Sequence, residues 1–129
     1  MRTRLMIALI AAPLALMPLP ALAQGEPAPI EIAAELDQNF WCAAAYGIAS
    51  VRAGSEGQSD VATTLLSYSQ ALANFGKQSM LDGGTAEEEI DRVALSYFDE
   101  VLAQFNGESD PRFSPTECRV LIEPFVTTP

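Results

Sequence analysis

The sequence predicts an all-α fold, a small bundle of three main helices and a short C-terminal helix, stapled by one disulfide. Apolar residues recur at three- and four-residue steps through three long segments, which is the period of an amphipathic helix. Glycine-containing breaks separate these segments, and no stretch shows the alternation of a β-strand. The chain also has two cysteines, Cys42 and Cys118, which an oxidising compartment would pair.

Residues 1–23 predict an export signal. They begin with Arg2 and Arg4, continue through an apolar core, and end in the small residues ALA, where signal peptides are cleaved. This apolar segment is interrupted by prolines and is shorter than a membrane span, which needs about 20 residues. Both features argue against a retained membrane anchor. We expect a periplasmic or secreted protein with no membrane span after cleavage, a flexible leader at residues 24–29 and a single helical domain at residues 30–129.

The mature chain expected from this cleavage is strongly acidic. Residues 24–129 keep five basic and all seventeen acidic residues, which gives a net charge of −12. Nucleic acid and anionic membranes would be repelled, so neither is an expected partner. The charge suits solubility or attraction to a basic protein. The identity of any partner and the oligomeric state are left open.

The first two predicted helices are separated by a short glycine-containing break. The first begins near Ile30 and ends at residues 53–58, where two glycines fall. The second begins near Ser59 and closes at the DGG of residues 82–84. The apolar stripe of the first helix is Leu36, Phe40, Ala43 or Ala44, Gly47 and Val51. That of the second is Val61, Leu65, Tyr68, Leu72 and Phe75, widened by Ala62 and Leu66.

The last two predicted helices each begin at a capping box. The third starts at Thr85, where TAEE lets the side chains of Thr85 and Glu88 each bind an otherwise unpaired amide. The fourth follows a second box, SPTE, at residues 114–117, and Pro124 is expected to end or kink it. The third stripe is Ile90, Ala94, Tyr97, Val101 and Phe105, widened by Phe98 and Leu102; the fourth helix offers Leu121, Ile122 and Phe125 for burial.

A bond between the two cysteines would pin the last helix to the first. Cys42 lies near the middle of the first predicted helix and Cys118 at the start of the fourth. Closing a loop of about 76 residues would stabilise the fold by about 4–5 kcal/mol. Reactive free thiols are the alternative, since Arg119 adjoins Cys118, but neither cysteine belongs to a CxxC pair.

The residue types present restrict the chemistry. Because the chain has no histidine, Ser–His–Asp and Cys–His arrangements are excluded, and a zinc site lacks its usual nitrogen ligands. We expect no enzyme activity, no catalytic residue and no cofactor. Residues 86–91, AEEEID, suit the start of a helix better than a cation site. Trp41 and Tyr46, which flank Cys42, are the candidate binding surface, with core packing as the alternative for both.

A weak metal candidate lies in residues 106–117, NGESDPRFSPTE. Oxygen donors stand at five positions of a calcium-binding loop, namely Asn106, Glu108, Asp110, Ser114 and Glu117. Over this loop alone the sequence resembles the EF-hand family, which would imply calcium binding. It departs from that pattern at position 1, which is asparagine instead of aspartate, and at position 6, where Pro111 replaces the glycine of the sharp turn.

The sequence therefore predicts a non-catalytic exported module that binds another protein, of an inhibitor or immunity type. The alternative is a periplasmic acid-stress chaperone, because small, helical, exported chains with one disulfide resemble in architecture the acid-stress chaperones of enteric bacteria. Protonation of seventeen carboxylates would change the charge of the mature chain from −12 to +5 and would loosen the bundle. Calcium binding through residues 106–117 is the third hypothesis.

Overall fold

The computed structural model describes residues 31–126, which form four helices and no strand. The helices are α1 (Ala34–Ser55), α2 (Ser59–Asp82), α3 (Glu87–Phe105) and α4 (Pro115–Val126). The all-α prediction, with three main helices, a short fourth one and a Cys42–Cys118 disulfide, is confirmed. The predicted export signal at residues 1–23 and the leader at residues 24–29 lie outside the described residues.

Helix α1 is the centre of the described bundle. It contacts each of the other three helices, and most of its circumference is buried. This burial follows from its composition, because alanine and glycine let neighbouring helices approach closely. Ser69 of α2 donates its hydroxyl to the carbonyl of Ala43 at 2.7 Å, and a Cβ on Gly47 would lie only 3.2 Å from that same hydroxyl. The run of small residues is thus a close-packing face.

A bulky side chain fills the core where α1, α2 and α3 meet. The ring of Phe40 is buried, with one side against the backbone of Gly76 in α2 and the other stacked on Tyr97 of α3, 5.5 Å between ring centroids. Leu72, Ile90 and Val101 are fully buried in the same bundle. Burial of such side chains is the main favourable term in folding.

The disulfide joins α1 to α4 in the interior. The Sγ atoms of Cys42 and Cys118 are 2.04 Å apart, and both residues are buried. Further along α4, Phe125 packs edge-on against Phe75 of α2, with 6.0 Å between ring centroids. The short helix is therefore held to α1 by a covalent bond and to α2 by an aromatic contact.

The predicted capping box at Thr85 is wrong. The backbone N–H of Thr85 donates to the carbonyl of Met80 at 3.0 Å, and that of Gly84 to Leu81 at 3.0 Å. With Gly84 at a φ of +91°, these bonds form the Schellman closure of α2. Because this closure uses Thr85, α3 begins two residues later at Glu87, and its N-cap, Ala86, makes no side-chain capping bond.

The capping box at the start of α4 is confirmed. The backbone N–H of Ser114 donates to a carboxylate oxygen of Glu117 at 2.6 Å, and that of Glu117 donates to the Ser114 hydroxyl at 3.2 Å. Helix α4 does not end at Pro124, which lies inside it, two residues before Val126. A proline so close to the end removes a single helical hydrogen bond. Helix α1 begins at Ala34 rather than near Ile30.

Candidate functional site

Trp41 lies in the core and not at the surface. Its side chain is 2% exposed, and its indole N–H donates to the Oε1 atom of Gln104 at 2.8 Å. The ring makes edge contacts with Phe105 and Phe113, at 6.3 Å and 5.4 Å between centroids. The core-packing alternative therefore holds for Trp41, and it cannot contribute to a binding surface in this fold.

Tyr46 is only half-buried. Its ring packs edge-on against Tyr68 of α2 with 5.4 Å between centroids. Burial is the main cause of the raised pKa of Tyr46. The nearby Tyr68 adds to this shift, and Arg119 opposes it. Of the two aromatic residues singled out from the sequence, Tyr46 is the one within reach of a partner, although much of its ring is engaged by α2.

The predicted calcium loop is partly occupied by other contacts. The side-chain oxygen of Asn106 accepts a hydrogen bond from Arg52 at 3.3 Å, and the carboxylate of Glu117 caps α4. Across residues 31–126, no three acidic or cysteine side chains are grouped so that they could hold a metal ion. Calcium binding by Asn106, Glu108, Asp110, Ser114 and Glu117 stays a prediction.

A polar cluster joins α1, α3 and the loop before α4. We call Asp37, Tyr97, Glu100 and Arg112 the Arg112 cluster. The guanidinium of Arg112 binds both carboxylate oxygens of Asp37, at 2.9 Å and 3.0 Å, and both oxygens of Glu100, each at 3.0 Å. The hydroxyl of Tyr97 donates to Asp37 at 2.5 Å. Three separate parts of the chain are thus held by one arginine.

The cluster shifts the ionisation of its members. The hydrogen bonds from Arg112 lower the pKa of Asp37; burial opposes this shift, and the Tyr97 hydroxyl adds to it. Burial and the neighbouring Asp37 carboxylate raise the pKa of Tyr97. At neutral pH the cluster therefore holds an ionised aspartate, an arginine cation and a neutral phenol. These groups satisfy one another's hydrogen-bonding and charge requirements, which is typical of a polar network that stabilises a fold.

The cluster is continuous with the buried tryptophan. The backbone N–H of Arg112 donates to Oε1 of Gln104 at 3.3 Å, the same oxygen that accepts from Trp41. The guanidinium also lies over the ring of Phe113, 5.4 Å from its centroid. The loop that carries Arg112 and Phe113 therefore covers the indole ring.

A surface that the sequence analysis missed lies on α3. Leu95, Phe98 and Leu102, which we call the α3 patch, are 64%, 40% and 37% exposed. The hydrophobic period of the sequence predicts that Phe98 and Leu102 widen the buried stripe. That assignment is wrong, because the buried face of α3 is formed by Ile90, Tyr97, Val101 and Gln104. At about 100° per residue, the patch is turned roughly 80–140° away from this face.

The surroundings of the α3 patch are acidic. Helix α3 carries six acidic residues and a single basic one, Arg92. Asp91 and Asp99 lie one turn before and one turn after Leu95, so both neighbour the patch on the helix surface, and both are exposed. Arg92, three residues before Leu95, is also exposed beside it, and the charge of Lys77 in α2 acts on Asp91. The patch is therefore an apolar strip beside which exposed carboxylates outnumber the single guanidinium of α3.

Comparison with known proteins gives no relative: the chain matches no protein family, no curated protein and no solved structure. None of the helices in residues 31–126 combines the length and the hydropathy needed to cross a membrane.

Proposed function

We propose that this chain is an exported, non-catalytic module that binds another protein through the outer face of α3. The observation that carries the proposal is the exposure of Leu95, Phe98 and Leu102 side by side on one helix. Large apolar side chains grouped on a surface indicate a protein interaction site, whereas single exposed apolar residues are common on any protein surface. The core of α3 is filled by other residues, so packing of the described fold does not require these three.

The export part of the proposal is supported by the sequence and by the disulfide. A basic start, an apolar core and the small residues ALA end at residue 23. A buried disulfide across a separation of 76 residues suits the periplasm or the exterior of a cell, where such bonds persist. An inhibitor or immunity protein is the class of module that these features fit.

Affinity capture from an extract of exported proteins tests the proposal. The bait is the mature chain, compared with a variant in which Leu95→Ser and Phe98→Ser remove the centre of the patch. The control carries Val51→Ser and Val120→Ser, two apolar residues on other helices, α1 and α4, that are 70% and 60% exposed. We expect a protein that binds the wild type and the control but not the α3 variant, and that binds the purified chain alone.

Two results would count against the proposal. One is a set of captured proteins that is the same for all three baits, and the other is a partner lost only with the control. Circular dichroism of each bait excludes unfolding as the cause of a loss.

The chaperone alternative has one observation in its favour. The loop over Trp41 is held by Arg112, which binds the carboxylates of Asp37 and Glu100. Strong acid removes the charge of Asp37, whose pKa is lowered by the hydrogen bonds from Arg112. At about pH 2–3 we expect the loop to detach and apolar surface to bind a fluorescent dye. A near-ultraviolet circular dichroism spectrum at that pH identical to the one at neutral pH would exclude this function. The calcium hypothesis falls if added calcium leaves the melting temperature unchanged.

A further inference from the structure

We propose that the partner element bound by the α3 patch is a basic amphipathic helix. This inference rests on the proposed function and adds the chemistry of what is bound. It follows from the spacing of the three apolar side chains and from the charge around them.

The spacing of the patch suits a helix lying alongside α3. Leu95, Phe98 and Leu102 stand at positions i, i+3 and i+7, so they form a strip about two turns long. A partner helix that repeats apolar residues at the same spacing can place them against this strip, as in other helix-on-surface complexes. Their exposures, 64%, 40% and 37%, leave apolar area on each side chain for such a partner to bury.

The charge around the patch selects a basic partner. Asp91 and Asp99 neighbour Leu95, and Glu88 lies one turn before Asp91; all three are exposed. Arg92 also neighbours Leu95, so the local balance is three carboxylates to one guanidinium. Lysine or arginine on the flanks of a partner helix would face these carboxylates, which favours both orientation and the rate of association.

The same charges disfavour a second copy of this chain as the occupant. Residues 31–126 hold sixteen acidic and five basic residues, a net charge of −11. Of the five basic residues, Lys77 and Arg112 are already paired with carboxylates of the same chain. Two α3 faces brought together would each contribute six acidic residues and one basic residue, Arg92, so most of the charges that meet would repel each other, which is destabilising.

Binding of a designed peptide tests this inference directly. The probe is a fluorescein-labelled peptide of about three heptads, with leucine at the a and d positions and lysine elsewhere. Its twin has glutamate in place of lysine. Fluorescence anisotropy with the purified mature chain gives the dissociation constant, and backbone amide NMR shifts show which helix the peptide contacts. We expect the lysine peptide to bind with shifts on α3 and the glutamate twin not to bind.

Matched variants separate the apolar contribution from the charge. Leu95→Ser should weaken lysine-peptide binding about tenfold, as truncation of an apolar anchor does, while Val51→Ser should leave it within about twofold. Asp91→Asn with Asp99→Asn should weaken binding and lower its salt dependence. Glu108→Gln with Asp110→Asn makes the same change in net charge in an exposed part of the loop and should have little effect.

Each contrary outcome has a distinct meaning. Equal weakening by the two charge pairs would show unspecific attraction between opposite charges and would overturn the inference. So would unchanged binding by Leu95→Ser, or binding of the glutamate twin. A captured partner that depends on the α3 patch but is neither basic nor helical would overturn this inference and leave the proposed function standing. The absence of any α3-dependent partner would overturn the proposed function itself.

Discussion

Replacement of Gly76 by alanine sets two opposite effects against each other. Alanine is favoured over glycine in a helix interior by about 1 kcal/mol, which would stabilise α2. The new Cβ, however, would lie 2.9 Å from Cζ of Phe40 and 3.2 Å and 3.3 Å from its two Cε atoms. A separation below 3.0 Å requires the ring or a helix to move.

The surroundings of Phe40 decide which effect is larger. Its ring is buried and is stacked on Tyr97 at an interplanar angle of 22°, and Tyr97 is itself bound to Asp37. Because the ring has no free side to move into, we take the upper part of the usual overpacking cost, about 2–3 kcal/mol. After subtraction of the gain in helix propensity, Gly76→Ala should lower the free energy of unfolding by about 1–2 kcal/mol.

Gly54→Ala is the matched control in α1. Its Cβ would lie 3.8 Å from the Cβ of Ala62, an ordinary contact. Because Gly54 stands one residue before the end of α1, the free energy of unfolding should rise by at most about 0.5–1 kcal/mol. Urea unfolding followed by circular dichroism measures both variants, and unchanged m-values would show that only stability has changed. If Gly76→Ala proves as stable as Gly54→Ala, the Phe40 ring is free to move and the reasoning about this core is refuted.

Three further predictions concern the disulfide, the Arg112 cluster and the α4 cap. Reduction of the bond between Cys42 and Cys118, which closes a separation of 76 residues, should lower the free energy of unfolding by about 4–5 kcal/mol; equal urea midpoints with and without reductant would contradict this. The pKa of Asp37 is lower in the folded than in the unfolded protein. Its ionised carboxylate therefore contributes fully to the free energy of unfolding above the unfolded-state pKa, about 4. That contribution is lost as the pH falls through the folded-state pKa. Asp37→Asn should therefore cost about 1 kcal/mol at pH 7, allowing for solvent exposure, and should make stability less dependent on pH below about 4; a steep acid loss that persists in the variant would show that other carboxylates cause it. Ser114→Ala should cost about 1 kcal/mol through the lost cap, and Thr85→Ala, whose side chain makes no capping bond at α3, should cost much less; equal losses in melting temperature would contradict the assignment of caps.

The helices could be predicted from the sequence because their signals are local. Hydrophobic period and glycine breaks depend only on neighbouring residues, and α2 begins at Ser59 as expected. The start of α3 could not be predicted in the same way. By local rules, Thr85 could either cap the start of α3 or close the end of α2. Its backbone hydrogen bond to Met80 shows that it closes α2.

The candidate surface and the Arg112 cluster depend on contacts that the sequence does not encode locally. A stripe of apolar residues indicates that a helix has a buried side, but the positions of its neighbours decide how wide that side is. Phe98 and Leu102 of α3 fall outside it for this reason, and so does Val51 of the predicted α1 stripe, which is 70% exposed. Asp37 and Arg112 are 75 residues apart, and Arg112 lies in a loop without any periodic pattern. Nothing near either residue indicates that they meet.

The distance along the chain between the two cysteines has a consequence for the order of folding. Helices α1 and α2 are adjacent in sequence and can pack on each other as soon as both have emerged during N- to C-terminal synthesis or export. Cys42 stays a thiol during this time, because Cys118 lies 76 residues further along the chain and emerges later. During that interval an oxidant can join Cys42 to a thiol of another chain, so oxidation before α4 arrives would yield crosslinked chains in place of the native intramolecular bridge.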